Sequence, residues 1–228
     1  MGVKETAKSG RDSLQQGIYV VINPLVRLMI RCGVTPNMVT TIGMFGQVAG
    51  AALLIRAGYV AGMTGSVPYN LVTWAGVVII LFSLFDMLDG QVARLGNMAS
   101  KFGAMYDSVL DRYCELISLG GVAYYFMAFG QLWPALITYM AVIGSLLVSY
   151  VRARAEGLVI ECKVGFMQRP ERVVVTCLGV IATGIAGLCG AQWANWILIV
   201  AMTIIAVFAN ITAAARISHC RRVMEGNK

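Results

Sequence analysis

Charged residues are scarce in this chain. Lys, Arg, Asp and Glu make up 13% of its 228 residues, against about 25% in soluble domains. Hydrophobic residues reach 58% and the mean hydropathy is +0.75. A soluble domain of this length cannot bury that much apolar surface, so a water-soluble globular protein is excluded. Histidine is nearly absent: His219 is the only one, beside Arg221 and Arg222, which suits a surface or headgroup contact and leaves no His-based zinc site. The six cysteines (Cys32, Cys114, Cys162, Cys177, Cys189, Cys220) include no C-x-x-C pair; they read as reduced, small packing residues. The polar stretch Met1–Ser13 is not followed by an apolar core with a cleavage pattern, so no signal or transit peptide is expected. A prokaryotic plasma membrane is the expected location.

The apolar residues fall into six runs: Val34 to Ala57, Asn70 to about Gly96, Lys101 to Ala128, Trp133 to Glu156, Glu171 to Gly190, and Trp193 to His219. Crossing a hydrocarbon core of ~30 Å takes about 20 residues. The expected fold is therefore an all-α integral membrane protein with six transmembrane helices. Lys and Arg are missing from Gly58–Thr73, Met127–Thr138 and Leu188–Asn195, and only Arg56 lies on that side. The positive-inside rule then puts both termini and the remaining basic residues in the cytoplasm. The net charge of +7 is absorbed by that asymmetry, and no nucleic-acid partner is expected. Ser13 to Cys32 alternates apolar and polar residues, and Pro24 kinks or divides it. It reads as an amphipathic helix lying in the interface. The expected division is residues 1–33 as N-terminus and juxtamembrane helix, 34–220 as one six-helix domain, and 221–228 as cytoplasmic tail.

Ionised groups at membrane depth are costly and usually functional. The second run ends in Asp86-Met-Leu-Asp89-Gly90, and the third holds Gly103-Ala-Met-Tyr-Asp107-Ser-Val-Leu-Asp111. Residues three or four apart share a helix face, and a short turn near Arg94–Ser100 makes the two helices antiparallel neighbours. Four carboxylates then converge on one small volume. The simplest way to hold them charged together is a hard divalent cation, or two; all-oxygen ligands favour Mg2+, Ca2+ or Mn2+. The plainer reading is ion pairing with Arg94, Lys101 and Arg112, three loosely placed cations for four carboxylates. Gly90, Gly103 and Ala93 allow close approach of a ligand, and Arg94 is placed to meet a phosphate.

Asp86-x2-Asp89-Gly90-x2-Ala93-Arg94-x8-Gly103-x3-Asp107-x3-Asp111 resembles the signature of the CDP-alcohol phosphotransferase family, with all eight positions filled. The six-span layout resembles that family as well. The resemblance implies that Asp86, Asp89 and Asp107 hold a pair of divalent metals, Mg2+ or Mn2+, with Asp111 touching one of them. It implies that Asp111 is the general base for the acceptor hydroxyl and that CMP is released from CDP-diacylglycerol. It places the CDP-lipid against Asn37, Thr40, Gly90, Arg94, Ser100 and Gly103, and it implies a homodimer. Thr35-Pro36-Asn37 also reads as a simple helix start, Thr as cap and Pro in the first turn.

Arginines hint at the acceptor. Arg152 and Arg154 end the fourth run, in Ser149-Tyr150-Val151-Arg152-Ala153-Arg154-Ala155-Glu156; Arg169 and Arg172 open the fifth, and Arg216 lies near the end of the sixth. Guanidinium groups beside a metal site suit a phosphate-bearing alcohol. These stretches resemble the branch of the family that makes phosphatidylinositol phosphate, which implies that Arg152, Arg172 and Arg216 grip inositol 1-phosphate. Arg152 stands where that branch often has lysine. The alternatives are glycerol 3-phosphate, then free inositol or serine, with the same chemistry. In a different class stand a small cation transporter and a catalytically silent assembly subunit. The same arginines also satisfy the positive-inside rule or anionic lipid headgroups. Gly144, Ser145, Gly179 and Gly184 are expected to let helices pack closely, within or between chains.

Overall fold

The computed structural model describes residues 22–226, all of the regular structure in it helical. Residues 22–31 form α1. The others are α2 (Pro36–Thr64), α3 (Tyr69–Ser83), α4 (Phe85–Leu95), α5 (Lys101–Ala128), α6 (Leu132–Glu156), α7 (Arg169–Leu188) and α8 (Ala194–Gly226). Five segments are long and apolar enough to cross a membrane: α2, α3 together with α4, α6, α7 and α8. The chain is thus a multi-pass membrane protein. α5 has the length of its neighbours but is not among the five; Lys101, Asp107, Asp111, Arg112 and Glu115 crowd its N-terminal half. Of the expected interfacial helix, residues 13–21 lie outside the described residues. The remainder is helical through Pro24, with Val26 buried against Val39, Leu88 and Val92.

Helix ends follow local chemistry. Thr35 caps α2, its side-chain oxygen accepting from Met38 N, and Pro36 occupies the first turn. Ser100 caps α5 by accepting from Gly103 N at 2.9 Å. The second apolar run is not one straight helix. It breaks at Leu84, whose N–H bonds back to Leu81 O, three residues earlier. The carbonyl of Ile79 is taken there by side chains: Ser83 Oγ donates to it at 2.8 Å and Gln47 Nε2 at 3.0 Å. Side chains inserted into the backbone ladder are a recognised cause of bends. Gln47 also donates to Ser83 Oγ and accepts from Ser118 Oγ at 2.8 Å. Residues from α2 and α5 therefore fix the bend that aims α4.

Six helices close into a ring in the order α2, α5, α6, α8, α7, α3, each packed on the next and α3 returning to α2. α4 continues beneath α3 against α2. The shared core runs from Leu54, Val72 and Ile79 to Leu119, Tyr125, Phe126, Leu198 and Ile205. The small residues serve contacts within the chain: Gly144 faces Asn210, Gly179 faces Ala201, and Gly184 abuts the Thr73 backbone. At Gly58 a Cβ would stand 2.7 Å from Tyr125 Cα, so α2 and α5 meet there at backbone distance. Ser145 is fully buried between the helices, and its hydroxyl has no hydrogen-bond partner among the described residues.

Overpacking a close helix contact typically costs about 1–3 kcal/mol. Gly58→Ala should therefore lower the apparent Tm in detergent. Gly120→Ala, where the added methyl would meet no atom within 4 Å, should leave it unchanged or slightly raised.

Candidate active site

The bend at Leu84 presents Asp86 and Asp89 from α4 toward α5, which supplies Asp107 and Asp111. Asp86, Asp89 and Asp107 each offer a carboxylate oxygen, and these three oxygens lie within 4.8 Å of one another. Thr40 Oγ1 from α2 donates to Asp89 Oδ2 at 2.7 Å, orienting a buried carboxylate. Asp107 Oδ1 is buried with no hydrogen-bond partner among the described residues. An oxygen-only set with an unsatisfied buried acceptor fits a divalent cation of the Mg2+ or Mn2+ type.

Beside the cluster lies a cavity of about 270 Å3 between the N-terminal ends of α2 and α5 and the end of α4. Asn37, Thr40, Gly90, Arg94, Ser100 and Gly103 all line it, together with Asp89 and Asp107. The glycines keep it open: a Cβ at Gly90 would project toward the Arg94 guanidinium, 3.6 Å away, and one at Gly103 would crowd Ser100 Oγ and Asn37 Oδ1. Ser100 and Thr35 are also helix caps, so two of the N-terminal helix ends open on this cavity. Unpaired backbone N–H groups at such ends favour an anionic ligand.

The cation paired with the aspartates comes from α7. Arg169 Nη1 donates to both oxygens of Asp86, at 3.1 and 3.0 Å, and Nη2 stands 2.6 Å from Asp111 Oδ1. Arg112, one of the cations expected to pair with them, donates instead to the carbonyl and hydroxyl of Ser108. One turn along both helices, Arg172 makes a second rung with Glu115: Nε and Nη2 reach the two carboxylate oxygens at 2.5 and 2.9 Å, and Nη1 donates to Met167 O. Arg172 is 1% exposed and Arg216 2%. Arg216 donates to Val164 O at 2.9 Å and Val148 O at 2.6 Å. Arg152 is exposed and pairs with Glu156 at 2.9 Å.

Two participants do not stand out in the sequence. Arg169 reads there only as one of the arginine group, and its bridge to Asp86 and Asp111 needs the α4–α5–α7 packing. Glu115 lies four residues after Asp111, on the same face, as a further carboxylate in an apolar run; that spacing is the signal by which it can be found.

Comparison with known proteins identifies the family. The family model for CDP-alcohol phosphatidyltransferase matches residues 33–208. The phosphatidylinositol phosphate synthase of Cutibacterium acnes is 34% identical over 219 residues, covering 94% of this chain and 99% of its own. That of Mycobacteroides abscessus is 33% identical over 208 residues, covering 90% and 86%. A crystal structure of the Mycobacterium tuberculosis phosphatidylinositol phosphate synthase with CDP-DAG bound superposes with a TM-score of 0.73 at 30% identity, covering 86% of this chain and 92% of that one. A second structure of that enzyme, in complex with manganese and citrate, gives the same TM-score and covers 86% and 87%. This chain belongs to the CDP-alcohol phosphatidyltransferase family.

Proposed function

We propose that this protein transfers the phosphatidyl group of CDP-diacylglycerol to inositol 1-phosphate, releasing CMP and forming phosphatidylinositol phosphate. The observation that carries the reading is the convergence of Asp86, Asp89 and Asp107 at the edge of a cavity lined by Thr40, Gly90, Arg94 and Gly103. The relatives' names and the CDP-DAG-bound neighbour support the same substrate pair.

Asp86, Asp89 and Asp107 would hold the divalent cation, Mg2+ or Mn2+, with Asp111 at a second position. Bound there, such a cation would supply Lewis-acid chemistry, polarising the pyrophosphate and neutralising charge on the departing CMP. The chain's own groups do the rest. Arg94 and the capped starts of α2 and α5 bind the nucleotide phosphates, while Asn37, Thr40 and Ser100 line its path. Asp111 takes the proton of the acceptor hydroxyl. The hydroxyl oxygen bonds to the phosphatidyl phosphorus as the bond from that phosphorus to CMP breaks, in line, as phosphoryl-type transfers require.

Arg152, Arg172 and Arg216 bind the acceptor's phosphate. Arg172 uses three of its donors on Glu115 and Met167, and Arg216 uses two on backbone carbonyls. Each guanidinium has five N–H groups in a fixed fork, so donors remain on both. Partners that fix the fork also preorganise it. Glycerol 3-phosphate carries the same phosphate and is the second reading; free inositol and serine lack a group for these arginines.

α5 is the sixth span. At 28 residues it reaches about 40 Å, and its carboxylates face α4 and α7 rather than lipid. The distribution of Lys and Arg supports cytoplasmic termini and a cytoplasmic active site in residues 34–220. A homodimer follows from the family resemblance, and the molar mass of the detergent-purified chain tests it.

CMP release by purified protein in detergent, with CDP-diacylglycerol and a panel of inositol 1-phosphate, glycerol 3-phosphate, inositol and serine, tests the function. Inositol 1-phosphate should drive release. Turnover with glycerol 3-phosphate alone would reassign the acceptor, and no turnover with any acceptor or metal would remove the enzyme reading. EDTA should abolish release, and Mg2+ or Mn2+ should restore it. Asp111→Asn should lower kcat by about 100-fold or more, the usual contribution of a general base. Arg152→Ala should raise KM for inositol 1-phosphate roughly tenfold, the effect of one lost charge-assisted hydrogen bond, without changing KM for CDP-diacylglycerol.

A further inference from the structure

Consecutive threonines on α2 reach the two helices that carry the aspartates. Thr40 bonds the Asp89 carboxylate of α4 directly, at 2.7 Å. Thr41 meets α5 instead: its Oγ1 stands 2.9 Å from the Tyr106 hydroxyl. Thr41 also donates to Asn37 O at 2.7 Å. A threonine hydroxyl has a single proton, so Tyr106 is the donor in its bond with Thr41. The Tyr106 ring in turn stacks on Phe102, one turn earlier, with centroids 5.9 Å apart.

This bond sits where little else couples α2 to α5. The backbone contacts of the two helices, Gly58 against Tyr125 and Gly121 against Ala51, lie toward their other ends. Among the described residues the other side-chain hydrogen bond between them runs from Ser118 to Gln47. Ser118 lies about 18 Å from Tyr106 along α5. Toward their N-terminal ends the helices flank the cavity, Asn37 and Thr40 from α2 and Gly103 and Asp107 from α5. Tyr106 immediately precedes Asp107, and successive side chains leave a helix about 100° apart. Asp107 Oδ1 accepts no hydrogen bond from the described residues. Asp89 is steered by Thr40, whereas the direction of Asp107 follows the rotation of α5.

We propose that Tyr106 is a positioning residue: by donating to Thr41 it fixes the rotation of α5 and so aims Asp107 at Asp86 and Asp89. The inference rests on the metal site of the proposed function. Thr40 and Thr41 then act as a pair, one orienting a carboxylate of α4 and the other, through Tyr106, a carboxylate of α5. Tyr106 is not among the residues that line the cavity, and it acts through Asp107.

The test uses the full chain in detergent and reads Mn2+ binding by electron paramagnetic resonance, without nucleotide or acceptor. Tyr106→Phe keeps the ring and removes only the donor. It should weaken Mn2+ binding about fivefold, the size of one neutral hydrogen bond. Thr41→Val removes the acceptor from the other helix and should do the same. The double variant should bind Mn2+ as either single one does, because both remove one interaction. Gly58→Ala strains the same helix pair away from the site; unchanged Mn2+ affinity there separates positioning from general destabilisation. At saturating Mn2+, Tyr106→Phe should regain the wild-type kcat to within about twofold, with KM for inositol 1-phosphate unchanged. Either single variant decides the matter if the other does not fold. Wild-type Mn2+ affinity in the single variants, losses that add in the double variant, or a kcat still depressed at saturation would overturn the inference and leave the metal site standing. A wild type that binds no Mn2+ would remove the metal reading and this inference together.

Discussion

Carboxylates brought together in a weakly polar medium repel one another, and each loses hydration that the bilayer does not replace. Asp86, Asp89, Asp107 and Asp111 are in that position, and much of the surrounding architecture manages it. Thr40 donates to Asp89. Arg169 bridges Asp86 and Asp111. Glu115, one turn deeper on α5, has its own counter-charge in Arg172. The two rungs tie α5 to α7, helices that are not neighbours in the ring, and the carboxylate cluster is thus also a structural crosslink.

The bend at Leu84 links the apolar bundle to this chemistry. An uninterrupted helix over Tyr69–Leu95 would aim its last turns along the bundle axis. Gln47 and Ser83 capture the Ile79 carbonyl, the helix breaks, and α4 turns to place its two aspartates opposite α5. Ser118 on α5 holds Gln47 in place. A small hydrogen-bond network, whose Gln47 and Ser83 line one small cavity with Asp86, Asp89 and Asp111, thereby sets the geometry at which oxygens from two helices come within 4.8 Å. Such networks favour one arrangement because any other leaves buried donors or acceptors unmatched.

Family membership and the site also explain each other. A cavity lined by Gly90, Gly103 and the N-terminal residues of α2 and α5 suits an anionic ligand, and a carboxylate cluster beside it suits a divalent cation. The chain uses its few polar residues at these places. Elsewhere it is built from apolar faces and small contacts such as Gly58 against Tyr125 and Gly184 against Thr73.

The sequence by itself determined the membrane class, the helical content and the aspartate pattern. Apolar run length, and the spacing of three and four that puts side chains on one helix face, are local properties. The Thr35 cap was legible for the same reason, as a helix start. The tertiary structure decided what pairs with what. Arg169 reaches Asp86 across 83 positions of chain and Arg172 reaches Glu115 across 57, and no periodicity reports a contact between separate helices. It also decided that the second apolar run is bent, because the cause lies in Gln47 on another helix. Arg172 and Arg216 are buried and held by protein partners, whereas Arg152 is exposed and pairs with Glu156; a guanidinium inside a bundle must have its donors satisfied whatever ligand it later meets.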